Sequence, residues 1–382
     1  MKLGVITTSY PRSIGDPAGN FVAGHVAALR ALGHVVEVIA AGADEVDRRG
    51  AGATVRSEAR GWSRLAGPAR DRTIRIGGAR LFDRGGAPDA LEREPVRAGA
   101  EAALFSARVT AAVIARARAW DAIVAHWLAP SALAALPTRP PLVAIAHGGD
   151  VFTLRRLRLL GPALAALHWR DARLVFVSEH LRAIARTAAP ALASWLDTAV
   201  IQPMGQELER FAALDRAPSA PPSVLVVARL VPIKGVDVAI AAMPYVTADA
   251  RLVIAGDGPE RARLAALPGA HHLLGAVSTA QRDELLRTAS VVVVPSRITA
   301  SGRTEGSPTI AVEALAAGVP VVASSVGGLC DLPGVRLVPP DEPRALAHAI
   351  DQTLAEPPPA HVLRAGVAGL AWREVAARLI RV

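Results

Sequence analysis

The sequence has almost no lysine. Of 43 basic residues only Lys2 and Lys234 are lysines, and the other 41 are arginines. It has one cysteine, Cys330, which excludes an internal disulfide framework and fits a reducing compartment. Aromatic residues make up 4% of the chain, little material for stacking bases, so no nucleic-acid partner is expected. No run approaches the roughly 20 apolar residues of a membrane span. The first residues, MKLGVITTSYP, lack the apolar core and cleavage pattern of a signal peptide, so the chain is expected to stay in the cytoplasm. The dinucleotide fingerprint is poorly matched. The turn TTSYPRSIGDPAGN is too long and proline-rich for it, and Gly256-Asp257-Gly258 lacks the third glycine, which disfavours nicotinamide chemistry. One cysteine and scattered histidines give no zinc spacing, and no G-x-S-x-G elbow occurs.

At 382 residues the chain has the length of two ordinary domains, and 51% apolar residues in many short βα units predict an α/β protein. The net charge of +9 is uneven. Residues 1–200 hold 26 Lys+Arg against 17 Asp+Glu, whereas 201–382 hold 17 of each. A basic first half suits an acidic partner such as a phospholipid surface or a lipid phosphate, or nucleic acid; a GC-rich genome that inflates arginine is the bland account of the same excess.

The most informative stretch is Val291–Gly328. Four valines predict a short buried parallel strand. A polar loop leads to Ser307 as N-cap and Pro308 as first helical residue, Gly318 closes the helix, and Val319 to Ala323 is the next strand. Helix-start amides suit a phosphate or sugar oxygen, and Glu305 and Glu313 nearby suit a sugar diol. As lone residues both glutamates read equally as solvated charges. The second informative place is Lys234. In a chain that uses arginine nearly everywhere, an internal lysine marks a need for a compact ammonium. Strand SVLVVA ends at Arg229, and LVPIKG leads into a helix, so two cations stand at a strand–loop–helix mouth suited to a diphosphate.

In order, Leu3 to Thr8 is the first strand. Its loop carries Gly15 and Gly19, and a helix follows over Asn20 to Leu32. Ala41 to Gly99 is rich in Gly and Arg and resists placement. A helix is predicted over Ala100 to Ala119. Strands then end in His126-Trp127 and in His147-Gly148-Gly149-Asp150. Arg155, Arg156 and Arg158 lie among leucines, either a basic amphipathic surface for anionic lipid or a core-facing helix with an arginine exterior. The Pro- and Ala-containing connector ERFAALDRAPSAPPS separates the halves. The expected domains are 1–203, 204–361, and a terminal helix pair at 362–382 packing back on the first.

These residues together resemble the retaining GT-B glycosyltransferases of family 4, also called group 1 transferases, over nearly the whole chain. The most specific element is the E-x7-E pattern from Glu305 to Glu313, followed by ALAAGVPVVAS and VGGL. ARLVPIKG, AGDGPE, PRSIGDPAGNFV, AHW at 125–127 and AHGGDVF at 146–152 accompany it. Met204-Gly205 and Gly19-Asn20 depart from the family's common pattern. The resemblance implies two Rossmann-like α/β domains facing across a cleft, and transfer from a nucleoside-diphosphate sugar to a glycan, lipid-linked or small-molecule acceptor without metal or resident cofactor. It implies that Arg229, Lys234 and Gly19 meet the diphosphate, and that Glu313 takes the ribose. Glu305, with Gly306, Ser307, Pro308 and Thr309, would hold the transferred sugar, and His147 would touch it near the reacting carbon. His126 and Asp150 are either structural or acceptor-side. The expected setting is polysaccharide or glycoconjugate synthesis, at the inner face of the membrane as a peripheral protein. The competing readings are a GT-B sugar-nucleotide epimerase or hydrolase and a non-enzymatic basic nucleotide- or nucleic-acid-binding module.

Overall fold

The computed structural model describes residues 1–12, 19–42, 72–77, 94–269 and 271–381. Gly15 and most of the stretch Ala41–Gly99 lie outside the described residues. The chain divides into two compact units, Met1–Gly205 with Trp372–Val382, and Gln206–Ala371.

The first unit is built on a parallel sheet of seven strands: β1 (Lys2–Thr7), β2 (Val35–Ala41), β3 (Arg72–Ile76), β4 (Ala122–His126), β5 (Leu142–Ala146), β6 (Arg173–Phe176) and β7 (Val200–Ile201). Their spatial order is β3-β2-β1-β4-β5-β6-β7. Strands β1, β4 and β5 are buried on both faces, which is why they read as unbroken apolar runs rather than alternating ones. The second unit repeats the plan with β8 (Ser223–Val227), β9 (Arg251–Ala255), β10 (His271–Gly275), β11 (Val291–Val294), β12 (Val321–Ser324) and β13 (Val335–Val338), in the order β10-β9-β8-β11-β12-β13. Each sheet reverses direction of winding next to its first strand, between β1 and β4 and between β8 and β11. Open α/β sheets bind ligands beyond the carboxyl ends of the strands at such a reversal.

Three local expectations are corrected. The helix after β11 runs Thr309–Ala317 with Pro308, not Ser307, as its cap residue, because Pro308 keeps an extended ψ of 109°. Gly318 ends it at φ 78°, as the left-handed position requires. The helix expected from Ala100 begins at Pro95 and runs to Ala117. By length and composition its Val96–Ala117 span, with mean hydropathy 1.3, could cross a membrane, contrary to the expectation that no run is long enough. Its buried face, Phe105, Val109, Val113 and Ala117, sits in the core of the first unit, the stripe of a helix flanking a sheet.

Of the terminal segment, Ala360–Val367 belongs to the second unit, and only Trp372–Val382 to the first. There the helix Trp372–Leu379 packs on the helix Asn20–Ala31. Trp372 is the wedge that holds it. A Cβ on Gly24 would lie 2.3 Å from its Nε1, and one on Gly205 would lie 2.5 Å from its Cε3, so both positions admit glycine alone. Trp372→Ala is expected to lower the stability of the protein by about 3–5 kcal/mol in urea denaturation. An unchanged midpoint would show that the indole is not part of this core.

Candidate active site

In the second unit, the loop leaving β8 carries Arg229 and Lys234, and the loop leaving neighbouring β11 carries Ser296 and Glu305. Their backbones touch. A Cβ on Gly235, at φ 57°, would sit 2.0 Å from the carbonyl oxygen of Pro295. This close approach brings Lys234 Nζ to 2.5 Å from Glu305 Oε2, and the Ser296 hydroxyl donates to the same oxygen at 3.1 Å. Both charged side chains are only partly exposed, 25% for Lys234 and 13% for Glu305. Glu305 Oε1 accepts no hydrogen bond among the described residues. Arg229 is exposed at the carboxyl end of β8.

Glu305 is held from a second direction by the loop after β12. The amide of Gly328 donates to the Glu305 carbonyl at 3.1 Å, and a Cβ on Gly327 would lie 1.9 Å from that oxygen. Gly306, Ser307 and Thr309 are half-buried and Pro308 is buried. The helix they lead into has no side-chain cap among the described residues, which leaves first-turn amides for another acceptor.

Glu313 lies on that helix, 5% exposed, with Oε1 accepting from Arg282 Nη1 at 3.1 Å. Burial pushes its carboxyl above the usual range, and the guanidinium groups of Arg282 and Arg210 oppose that rise. Arg282 comes from the helix Thr279–Thr288 and also stacks over Phe211. Ser296 and Arg282 were not picked out in the sequence. Ser296 lies two residues past the valine strand, after Pro295, which is a signal, whereas nothing near Arg282 points to Glu313.

In the first unit His147 directly follows β5 and is half-buried between Phe21 and Trp127, with ring centroids 5.0 and 4.9 Å away. His126, the last residue of β4, is completely buried. Its Nδ1 is 3.0 Å from His147 Nε2, and its Nε2 is 3.0 Å from His25 Nδ1. Both ring nitrogens are taken, so His126 has nothing to offer an acceptor. Asp150 is equally committed. Its carboxylate accepts from the amides of Leu128 at 2.6 Å, Gly148 at 3.0 Å and His147 at 3.1 Å, so it shapes the turn after β5 and is structural. Burial pushes its carboxyl up, against the pull of those amides. Gly19 caps the Asn20–Ala31 helix at φ 70°, and a Cβ there would lie 2.2 Å from the Ser9 carbonyl, so the chain's own first loop already demands glycine. His25, missed in the sequence, sits 101 residues from His126 with no local signal.

Residues 221–356 match the family described as Glycosyl transferases group 1. The putative teichuronic acid biosynthesis glycosyltransferase TuaC of Bacillus subtilis is 30% identical over 256 residues, covering 60% of this chain and 60% of that protein. Sucrose-phosphate synthase from Thermosynechococcus elongatus has the same fold, with a TM-score of 0.68 at 22% identity over 99% of this chain and 97% of the other. Anabaena HepE, solved with UDP-glucose, gives 0.66 at 18% identity over 99% and 98%. The chain spans 36%, 60% and 40% of the length of the first three curated relatives. The fold is therefore the two-domain, Rossmann-like GT-B arrangement. The segment matched to group 1 transferases contains Arg229, Lys234, Glu305 and Glu313.

The histidines set a pH dependence. Desolvation lowers His25 to about 4 and His147 to about 3, and lowers His126 well below its ordinary value. In the unfolded chain all three take up protons near pH 6.5. Below that pH the unfolded state binds protons that the native state refuses, so stability is full above about pH 6.5 and is lost as pH falls. Between about pH 6.5 and 5.5 the loss from the three histidines is on the order of 3 kcal/mol, while the raised carboxyls of Asp150 and Glu313 work in the opposite sense. Urea titrations at the two pH values read it, and His25→Asn is expected to reduce the difference by about a third.

Proposed function

We propose that the protein is a retaining glycosyltransferase that moves a sugar from a nucleoside-diphosphate sugar to a glycan, lipid-linked or small-molecule acceptor. Polysaccharide or glycoconjugate synthesis is its setting. The observation that carries this reading is the meeting of Lys234 and Glu305 at the winding reversal of the second sheet, inside the segment matched to group 1 transferases. A donor exchanges that pair for its own groups. Its diphosphate takes the Lys234 ammonium together with Arg229, which offsets the charge that develops on the leaving nucleotide. The freed Glu305 carboxylate accepts hydroxyl hydrogen bonds from the transferred sugar, beside the amides of Gly306 to Thr309. Glu313 Oε2, which accepts nothing among the described residues, takes the ribose while Oε1 stays on Arg282. The family resemblance assigns Gly19 to the diphosphate and His147 to the transferred sugar. UDP-glucose in the Anabaena neighbour and teichuronic acid in the name of the Bacillus relative agree in chemical class with this donor and setting.

Retention follows a front-face route. The bond from the anomeric carbon to the phosphate oxygen breaks, the acceptor oxygen bonds on the same face, and the acceptor's proton passes to the departing phosphate. A double displacement would need a carboxylate opposite the sugar, and Asp150 is engaged by three amides. No metal or resident cofactor is given a role. Glu305→Ala is expected to lower kcat about a hundredfold or more with a nucleotide sugar; near-normal turnover would remove its role. Lys234→Ala should weaken nucleoside diphosphate binding about tenfold while leaving nucleoside binding unchanged, and equal loss of both would contradict the phosphate contact. A thermal-shift screen of UDP-, GDP-, ADP- and dTDP-sugars names the base. Donor conversion without acceptor would favour an epimerase or hydrolase.

The protein works as a peripheral cytoplasmic enzyme at an anionic membrane face. Arg155, Arg156 and Arg158 are exposed at the end of the helix Gly149–Arg156 and the turn beyond it, with Leu157 and Leu159 interleaved at about half exposure. Trp169 is 85% exposed at the end of the next helix. Basic heads with apolar wedges suit an anionic interface. Sedimentation with anionic but not neutral vesicles is expected, and its loss in a triple Arg→Glu variant; equal partition to both vesicle types would refute the surface.

A further inference from the structure

His25, His126 and His147 form a single hydrogen-bonded file, two bonds of 3.0 Å each, running from the Asn20–Ala31 helix through β4 to the end of β5. No part of the donor site needs His25 or His126. Both are completely buried, and neither can reach a substrate.

Such a file has a direction. A neutral imidazole carries one N–H and one lone pair, so a central histidine bonded on both sides must donate one way and accept the other. All three rings are neutral across the working range, because burial holds His25 at about 4, His147 at about 3 and His126 well below its ordinary value. Only two arrangements are then open. In one, His147 donates inward and the last proton ends on His25 Nε2. In the other, His25 donates from Nδ1 and each proton points toward His147.

The end of the file decides between them. His25 Nε2 is buried and has no hydrogen-bond partner among the described residues. The Trp372 ring beside it is parallel, 7° between planes with centroids 5.6 Å apart, so an in-plane N–H would not point into its face. A proton there would be a buried orphan donor, which folded proteins tolerate less well than an under-satisfied acceptor. His25 therefore donates to His126, and His126 donates from Nδ1 to His147 Nε2. The proton of His147 is left on Nδ1, the nitrogen without a partner among the described residues.

We propose that His25 and His126 are positioning residues that fix His147 as a neutral imidazole with its proton on Nδ1, so that it presents an N–H donor to an oxygen of the transferred sugar. This rests on the transferase reading for the substrate, but the tautomer itself does not. The partner of one ring nitrogen commonly sets the state of the other.

The test has a part that needs no substrate. In protein labelled with nitrogen-15 at histidine, long-range proton–nitrogen correlation spectra at neutral pH should show all three rings protonated on Nδ1, with His25→Asn and His126→Asn assigning the signals. A proton on Nε2 of His147 overturns the proposal. In kinetics, His126→Leu should lower kcat roughly tenfold with the donor KM unchanged. His126→Asn, whose side-chain amide can place an N–H where Nδ1 stood, should restore most of it. Equal losses in the two variants, or none, overturn the positioning role. If His126→Leu does not fold, the wild-type spectrum and the asparagine variant decide. If the wild-type protein turns over no nucleotide sugar, the transferase reading fails and the spectrum alone judges the file.

Discussion

Backbone lies directly on backbone at the carboxyl ends of the second sheet, and the placement of its charged groups depends on that contact. Gly256 meets the Ala228 carbonyl, Gly235 meets that of Pro295, and Gly327 meets that of Glu305, each at a distance where a Cβ would fall about 2 Å from the oxygen. The three glycines have φ of 142°, 57° and 51°. The loops after β8, β9, β11 and β12 are thereby drawn together with no side chain between them. Lys234 and Glu305 come from two of these loops, which is how residues 71 positions apart close to 2.5 Å.

The environments of the two glutamates then diverge, although they stand eight residues apart on one loop and helix. Glu305 is held through one oxygen by an ammonium and a hydroxyl, and its other oxygen stays open. Glu313 is almost fully desolvated and is kept in place by Arg282, itself braced over Phe211. Removing one partner of such a buried pair strands the other charge. The first pair is thus suited to exchange with a ligand, and the second to holding a helix while offering one lone oxygen.

The first unit uses neutrality instead of charge. Its histidine file sits in an apolar setting that refuses protons, and Asp150 spends its carboxylate on three backbone amides. A turn so fixed gives His147 little freedom, with Phe21 and Trp127 against its ring.

Much of this was readable along the chain. The valine runs foretold the buried strands, Gly318 foretold the helix end, and the rarity of lysine singled out Lys234. These signals are local, set by side-chain branching, φ at glycine and residue choice within a few positions. The cap at Pro308 was misplaced by one residue because a Ser-Pro pair fits two registers and only the real ψ separates them. What the folded molecule alone decided was company and charge state: Arg282 against Glu313, Ser296 on Glu305, Asp150 turned inward, and His25 at the head of a file that reaches β5. Those depend on which distant residues meet and on how much water is left between them, and neither quantity is written in the spacing of neighbours along a chain.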